Sequence, residues 1–298
     1  MQIAILRGGA LGDIVLTLPI LGALRDYYPG CVITLVAPFP QANLAASGYA
    51  DRVLDLNSAK FVGLFSPDAV IAEVARQDLT ADLILSYLSD PAGVVRSRLM
   101  AHQRPATKFV QGPFKLDLER RPATEQLAQP LRALGVPLVD LIPRLASASP
   151  KPRLDRLVIH PGSGSPKKNW PPRYWVELLA KLMPAFDEVI LVSGEADTEV
   201  TRSLVPMLPP NKLQLFADRS LWDLAGELSR AALFIGHDSG VTHLAAAAGI
   251  RTVALFGPTD PMIWAPLGDH VTVIRSPDGT MPGLSVETVL HTVEHLLG

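Results

Sequence analysis

Short apolar runs alternate with helical stretches along almost the whole of this 298-residue chain, and this alternation constrains the fold more than any other feature. The apolar runs suit buried strands, and the stretches between them suit crossover helices. The predicted strands lie at residues 2–6, 32–37, 52–56, 83–86, 108–110, 154–159, 189–192, 213–216, 231–235, 252–256 and 271–274. The predicted helices lie at residues 13–28, 68–77, 91 onward, 123–134, 172–183, 197–204, 221–228 and 285–297. Such a chain is expected to form α/β domains with doubly wound parallel sheets.

A segment rich in Pro, Ser and Ala at residues 143–153 interrupts the alternation and is typical of a linker. We therefore expect two domains, at residues 1–150 and 151–298. In doubly wound domains, ligands bind beyond the carboxyl ends of the strands. With two domains, those ends can face each other across a cleft.

The composition is that of a globular protein, with 48% hydrophobic and 19% charged residues. A formal net charge of −2 gives no general case for nucleic-acid binding. The single cysteine, Cys31, rules out an internal disulfide and fits a reducing compartment. Arg7 interrupts the apolar N-terminus too early for a signal peptide, and no apolar stretch reaches the ~18 residues of a membrane span. We expect a soluble, cytoplasmic protein.

Basic residues are concentrated between residues 94 and 121, where seven of them stand against Asp117 and Glu119. They are Arg96, Arg98, Arg104, Lys108, Lys115, Arg120 and Arg121. Two interpretations remain open. One is a solvated face, and the other is a patch for an anionic partner, such as a phosphorylated glycolipid or an acidic bilayer surface.

The most informative segment, residues 236–261, contains a tight polar turn between a predicted strand and a short helix. Such a turn points backbone N–H groups and the positive end of the helix dipole at one place, which attracts phosphate. Asp238 and Ser239 also stand where an N-cap belongs, so helix capping alone is the alternative. His243 lies one helical turn after Ser239 on the same face. Capping needs no histidine there, which favours an anion site.

A glycine-rich loop, residues 7–13, joins the first predicted strand to the first helix. It lacks the Gly-Lys-Ser/Thr ending of a P-loop, and Arg7 occupies the first glycine position of the dinucleotide fingerprint G-x-G-x-x-G. The glycines leave room for a second molecule to approach closely. Asp13, at the end of the loop, is either an N-cap or first-turn acid, or a general base.

A second loop, residues 160–170, follows the first strand of the second predicted domain. Its glycines, serines and paired lysines suit a phosphate group, and a solvated basic loop is the alternative. Trp170 is expected to anchor packing before a helix. His160, at the strand end, is expected to be a hydrogen-bonded structural residue.

The spacing of other polar residues argues against two further chemistries. A metal site at His237, Asp238 and His243 lacks another His or Cys to complete the ligands. Residues 236–240 also differ from the nucleophile elbow G-x-S-x-G, because an aspartate stands in the position of the serine.

Three ordered motifs resemble glycosyltransferase family 9, the family of the ADP-heptose:lipopolysaccharide heptosyltransferases, and the likeness spans nearly the whole chain. The first is R-x4-GD-x5-P at residues 7–19, and the second is the loop at residues 160–170, with a lysine two before the tryptophan. The third and most specific is DSGxxHLAAA at residues 238–247, followed by FGPTDP at residues 256–261.

This resemblance implies a GT-B fold of two Rossmann-like domains, with the acceptor on the N-terminal domain and a nucleotide sugar on the C-terminal one. It leaves open that the final helix packs back on the N-terminal domain. It also implies inversion at the anomeric carbon without a metal ion, with Asp13 as the general base. Closure of the two domains is expected to exclude water that would otherwise hydrolyse the donor. The residues implied around the donor are Ser163, Gly164, Lys168, Glu195, Asp238, Ser239, Gly240 and His243. Those implied on the acceptor side are Gly9, Gly12, Arg96 and Arg98.

The leading hypothesis is a transferase that moves heptose from ADP-heptose to a lipopolysaccharide-type or other cell-envelope acceptor. It requires no further cofactor, metal or nucleic acid, and it leaves open contact with the inner face of the cytoplasmic membrane. Another nucleotide sugar, or a protein or O-antigen acceptor, is the alternative within the family. An NAD(P)-dependent oxidoreductase is disfavoured by the broken glycine fingerprint. A non-catalytic nucleotide-sugar binder is disfavoured because it needs no base such as Asp13.

Overall fold

A computed structural model describes residues 1–66, 68–117, 121–137, 140–145, 155–194 and 198–298 of the chain. The chain divides into two compact units, unit 1 at Met1–Pro143 and unit 2 at Arg144–Gly298. Each unit has its own parallel sheet. The chain therefore has the α/β class that its alternating pattern predicts.

The sheet of unit 1 is built from parallel strands, and its three central strands are largely apolar and buried. The strands are β1 (Gln2–Leu6), β2 (Val32–Ala37), β3 (Arg52–Asp55), β4 (Leu83–Ser86) and β5 (Lys108–Gln111). Their order in the sheet is β3-β2-β1-β4-β5, so the direction of winding reverses between β1 and β4. Ligands of doubly wound sheets bind at such a switch point, beyond the carboxyl ends of the strands. Arg7 and Tyr87, which follow β1 and β4, both lie there.

The helices of unit 1 are α1 (Leu11–Tyr27), α2 (Glu73–Asp78), α3 (Val94–Met100), α4 (Ala123–Leu127) and α5 (Gln129–Ala133). Helix α1 runs through Pro19 and buries a continuous apolar stretch. The single helix predicted at 123–134 is wrong: two short helices form instead, because Pro130 has no N–H to donate within a helix.

The helix predicted at 68–77 is also wrong in its first turn, since α2 begins only at Glu73. The chain passes close to Gly63 just before it: a Cβ on Gly63 would lie 2.5 Å from the carbonyl oxygen of Val70. Ile71 is buried at this crossing, and Ala72 has extended ψ. Tertiary packing therefore makes the helix begin five residues later than predicted, at Glu73.

The sheet of unit 2 is also parallel throughout its described strand pairs. The strands are β6 (Arg156–His160), β7 (Glu188–Val192), β8 (Leu213–Phe216), β9 (Leu233–His237), β10 (Thr252–Phe256) and β11 (Val271–Arg275). Their order is β11-β10-β9-β6-β7-β8, which places a switch point between β6 and β9. His160 pairs with Gly236 at the carboxyl ends of these two strands. The loops at 161–170 and 238–240 therefore begin side by side.

The helices of unit 2 are α6 (Pro172–Leu182), α7 (Thr198–Leu204), α8 (Leu221–Arg230), α9 (Gly240–Ala247), α10 (Pro261–Trp264) and α11 (Val286–Leu297). Helix α11 packs against α6 within the unit. The core beside them contains Trp170 and Trp175, whose ring centroids are 5.4 Å apart in an edge-to-face arrangement. In the ranges that the structure covers, we find no helix with the length and hydropathy that crossing a bilayer demands.

Candidate functional site

In unit 1, the loop between β1 and α1 places the carboxylate of Asp13 between two donors. Oδ1 lies 2.7 Å from Nη2 of Arg7, and Oδ2 accepts the backbone N–H of Ala10 at 2.8 Å. Asp13 therefore makes the first-turn contact that its position predicts. Its side chain is still 36% exposed, so a hydroxyl group can approach the carboxylate from solvent.

Arg7 is itself buried, with 6% of its surface exposed. Its Nε lies 3.2 Å from the hydroxyl of Thr17, and its guanidinium carbon is 5.6 Å from the ring centroid of Tyr87. Burial lowers the pKa of Arg7, while the Asp13 carboxylate opposes that shift. Burial likewise raises the pKa of Tyr87, whose hydroxyl donates to the carbonyl of Leu127 at 2.7 Å. Arg7 is thus a fixed cation behind the Asp13 carboxylate.

Gly9 lies against Asp13 in the same loop, and Gly12 lies in the first turn of α1. Gly9 has φ 103°, in the left-handed region that favours glycine. A Cβ at this position would lie 2.3 Å from Oδ2 of Asp13. A glycine at residue 9 is therefore necessary for the observed position of the carboxylate.

The two arginines predicted on the acceptor side have different environments. Arg98 donates from Nε to the carbonyl of Gly63 at 2.9 Å and from Nη2 to the carbonyl of Ala69. It holds together two parts of a surface segment. Arg96 is exposed and its guanidinium carbon lies 5.4 Å from the ring centroid of Phe109.

The rest of the basic segment 94–121 is partly ion-paired. Arg104 lies 3.4 Å from Asp82, and Arg121 pairs with Asp117. Arg120 lies outside the described residues. These pairs are typical of a solvated face, whereas Arg96, Lys108 and Lys115 are exposed and could meet an anionic partner.

In unit 2, the structure brings Lys168 and Asp238 together from two different loops. Nζ of Lys168 lies 2.9 Å from the carbonyl oxygen of Asp238 and 3.2 Å from its Oδ2. Lys168 belongs to the loop after β6, and Asp238 immediately follows β9. The switch point of this sheet therefore holds an ion pair beside the N-terminus of α9.

Ser239 is the N-cap of α9, as predicted, because its hydroxyl accepts the backbone N–H of Thr242. Its oxygen also lies 3.2 Å from Nδ1 of His160, so His160 is a hydrogen-bonded buried residue, also as predicted. Gly240 is the first residue of the helix, and His243 is buried within it. The first turn of α9 is thus tied to the end of β6.

The other predicted donor residues differ in their surroundings. The Ser163 hydroxyl lies 2.6 Å from Oδ1 of Asn169 and is buried within its own loop. Gly164 is exposed, and a Cβ there would meet no atom within 4 Å. Glu195 lies outside the described residues. Trp170 is fully buried and its indole N–H donates to the carbonyl of Leu284 at 2.8 Å, so it anchors packing as expected.

The roles of two residues, Arg7 after β1 and His237 at the end of β9, could not be predicted from the sequence. Arg7 is the first residue of the motif at residues 7–19 and a misfit in a glycine fingerprint, but neither observation predicts its contact with Asp13. His237 entered only as a rejected metal ligand, and no local pattern indicates its role. Among the described residues, no group of three or more His, Cys, Asp or Glu side chains is placed to hold a metal ion.

Two doubly wound parallel sheets in one chain are the architecture of the GT-B class of glycosyltransferase folds. The sequence model of glycosyltransferase family 9 (heptosyltransferase) matches residues 96–293, which is more than half of the chain. The chain therefore belongs to glycosyltransferase family 9. This membership confirms the resemblance carried by the three motifs and decides against the oxidoreductase alternative.

Relatives and solved structures agree with this assignment. The lipopolysaccharide heptosyltransferase 2 of Escherichia coli is 31% identical over 121 residues, which cover 37% of this chain and only 33% of that relative. The crystal structure of a family 9 glycosyl transferase from Veillonella parvula has a TM-score of 0.81 at 20% identity, over 99% of this chain and 97% of that one. The structure of the E. coli heptosyltransferase WaaC with ADP has a TM-score of 0.76 at 18% identity, over 99% and 100%. These two likenesses confirm the fold.

Proposed function

We propose that this chain is an inverting, metal-independent transferase that moves heptose from ADP-heptose to a hydroxyl of a lipopolysaccharide-type acceptor. The observation that carries the proposal is the Lys168–Asp238 pair at the N-terminus of α9, in a chain of family 9. The named sugar and nucleotide are supported by a relative that is a lipopolysaccharide heptosyltransferase and by a similarly folded heptosyltransferase with ADP.

The donor's diphosphate is proposed to bind at the first turn of α9. Helix N-terminal amides attract phosphate, and the turn at Ser239 and Gly240 presents such amides at the switch point of the sheet. Lys168 then exchanges its contact with Asp238 for one with a phosphate oxygen. The released Asp238 carboxylate is left to accept hydrogen bonds from sugar hydroxyls.

The proposed transfer step begins at Asp13. Its carboxylate takes the proton of the acceptor hydroxyl as the oxygen attacks the anomeric carbon from the face opposite the leaving group. The bond from that carbon to the diphosphate breaks, ADP leaves with the electron pair, and the configuration inverts. The amides of α9 and Lys168 stabilise the charge that develops on the diphosphate, which is the task that a metal ion performs in other enzymes.

We also propose that unit 1 acts at a membrane surface. Four large apolar side chains are exposed within one short segment: Val62, Phe65, Val70 and Val74. Val70 is 85% exposed, and we name these four residues the apolar cluster. Clustered exposed apolar side chains are typical of contact with lipid or protein, and a lipid-linked acceptor favours lipid. Asp68 and Glu73 lie in the same segment, so the proposed contact depends on apolar insertion more than on charge.

The experiment that tests the function is transfer from ADP-heptose to a heptose-deficient lipopolysaccharide, together with thermal stabilisation by ADP. We expect Asp13→Asn to lower the rate of transfer about 100-fold or more and to leave the thermal stabilisation by ADP unchanged. Asp26→Asn, on the exposed face of the same helix, is the matched control. Stabilisation by ADP without any transfer would favour the non-catalytic binder. Stabilisation by another nucleotide, or transfer to a protein or O-antigen, would favour the family alternatives.

A further inference from the structure

His237, the last residue of β9, is completely buried and contacts both ends of the loop at residues 161–170. Its Nε2 accepts the backbone N–H of Trp170 at 2.9 Å. Its Nδ1 lies 3.3 Å from the carbonyl oxygen of Gly162. One imidazole therefore joins two backbone groups that are eight residues apart in the chain.

The two contacts define the protonation of the ring. A nitrogen that accepts a backbone N–H carries no hydrogen, so Nε2 is unprotonated. The hydrogen of a neutral imidazole then lies on Nδ1, where it donates to the carbonyl of Gly162. The ring also lies edge-on to Trp175, with centroids 5.4 Å apart. Both ring nitrogens thus hold the loop, and the ring packs against Trp175 of α6.

The loop that His237 closes carries Ser163, Gly164 and Lys168. Lys168 is directed to Asp238, the residue next to His237, through contacts at 2.9 and 3.2 Å. The carbonyl of His237 in turn accepts the hydroxyl of Thr242 in α9. A single dipeptide therefore connects the lysine loop, the end of β9 and the first turn of α9.

We infer that His237 is a positioning residue for the nucleotide, because it fixes the loop that presents Lys168 to the N-terminus of α9. The inference rests on the proposed donor site and adds a residue that does not itself touch the ligand. A merely structural histidine would affect the stability of the protein and leave the affinity of the folded protein for ADP unchanged. The two roles are therefore separable by measurement.

The test is titration of the full-length protein with ADP, with folding monitored by circular dichroism and thermal unfolding. His237→Phe keeps the ring and its packing against Trp175 but removes both hydrogen bonds. We expect its dissociation constant for ADP to rise about tenfold. This is the effect of losing about one hydrogen bond between the displaced loop and ADP. His237→Gln restores an acceptor and a donor, and we expect it to recover affinity to within about threefold of the wild type.

His270→Phe is the matched control, because it removes a comparable contact elsewhere in unit 2. Nε2 of His270 lies 2.9 Å from the carbonyl oxygen of Ala246, at the far end of α9. We expect this variant to bind ADP as the wild type does. An equal loss of affinity in the His270 control would overturn the assignment to His237.

The other possible results of the ADP titration each support or overturn the positioning role of His237. If folded His237→Phe binds ADP with wild-type affinity, the positioning role is wrong even though the donor site stands. If the wild type does not bind ADP at all, the proposed ADP-heptose donor site is wrong, and the positioning role of His237 is wrong with it. Should His237→Phe fail to fold, His237→Asn replaces it, since the shorter amide cannot reach both loop ends. Wild-type affinity in that variant would overturn the inference, and a loss would support it.

Discussion

Nη2 of Arg7 lies 2.7 Å from Oδ1 of Asp13, so the carboxylate of the proposed base rests against a buried cation. The Ala10 N–H holds the other oxygen at 2.8 Å. These two donors fix the carboxylate plane before any acceptor arrives. A base held in this way loses little conformational freedom when the hydroxyl binds.

Replacing Arg7 is expected to slow transfer without weakening donor binding. In Arg7→Met, the Asp13 carboxylate keeps only the Ala10 contact and samples other rotamers, so we expect kcat to fall about 10- to 100-fold. Arg7→Lys should recover part of the rate because it restores the charge without the paired geometry. Steady-state kinetics and an ADP titration measure the two effects.

The control for Arg7 is Arg25→Met in α1, which breaks another Arg–Asp contact of unit 1, to Asp51 at 2.8 Å. This variant should retain the wild-type kcat. A rate for Arg7→Met equal to that of the control would show that the contact to Asp13 has no part in transfer.

Replacing Lys168 is expected to weaken nucleotide binding. Lys168→Met removes the cation proposed to meet the diphosphate, and a charge-assisted hydrogen bond of this kind corresponds to about 10- to 100-fold in affinity. Lys167→Met, at the exposed neighbouring position, is the control and should leave affinity unchanged. Calorimetric titration with ADP measures both. Equal affinity in the two variants would contradict the phosphate role of Lys168.

Adding one methyl group at Gly9 is expected to displace the base. In Gly9→Ala the new Cβ would lie 2.3 Å from Oδ2 of Asp13, so the carboxylate must move. We expect kcat to fall at least about tenfold while ADP affinity is retained. Gly30→Ala shares the positive φ but meets no atom within 4 Å, so it measures backbone strain alone. A Gly9 variant as active as the Gly30 variant would argue against the fixed carboxylate.

The apolar cluster is expected to bind lipid. The triple variant Val62→Ser, Phe65→Ser, Val70→Ser should lose most of its co-sedimentation with vesicles of phosphatidylcholine and phosphatidylglycerol. Raising the salt concentration should have only a small effect on the wild type, because the contact is mainly apolar. Met207→Ser with Leu215→Ser removes exposed apolar side chains of unit 2 and serves as the control. Vesicle binding that is retained in the triple variant would exclude this surface.

The strand–helix alternation was sufficient to predict both sheets, because parallel strands buried on both faces leave continuous apolar runs. The N-cap at Ser239 was also predictable, since capping depends on one residue and its nearest neighbours. The predictions of helices at 68–77 and 123–134 are wrong for different reasons. The first is shortened by packing at Gly63, and the second is divided by Pro130. Only the second error had a signal in the sequence.

The contacts within the site were beyond local reasoning. Lys168 and Asp238 are 70 positions apart, and His237 meets Trp170 across 67 positions. The spacing of apolar residues predicts the type of each element and its buried face, but not which loops of a sheet become neighbours. The strand order, with β6 beside β9, provides that information. The pairing of the loops is therefore a product of topology, and only the residue types in each loop were readable beforehand.

In the proposed donor site, an anion that binds Lys168 must compete with the Asp238 carboxylate, which already contacts the lysine. Free inorganic phosphate makes few other contacts, so it would compete poorly with the Asp238 carboxylate, whose local concentration is high because it belongs to the same chain. A nucleoside diphosphate has a base, a ribose and a second phosphoryl group, which can make further contacts when a phosphate replaces Asp238 at Lys168. If the proposed donor site is right, the pair should favour ligands with several points of attachment over small anions such as inorganic phosphate.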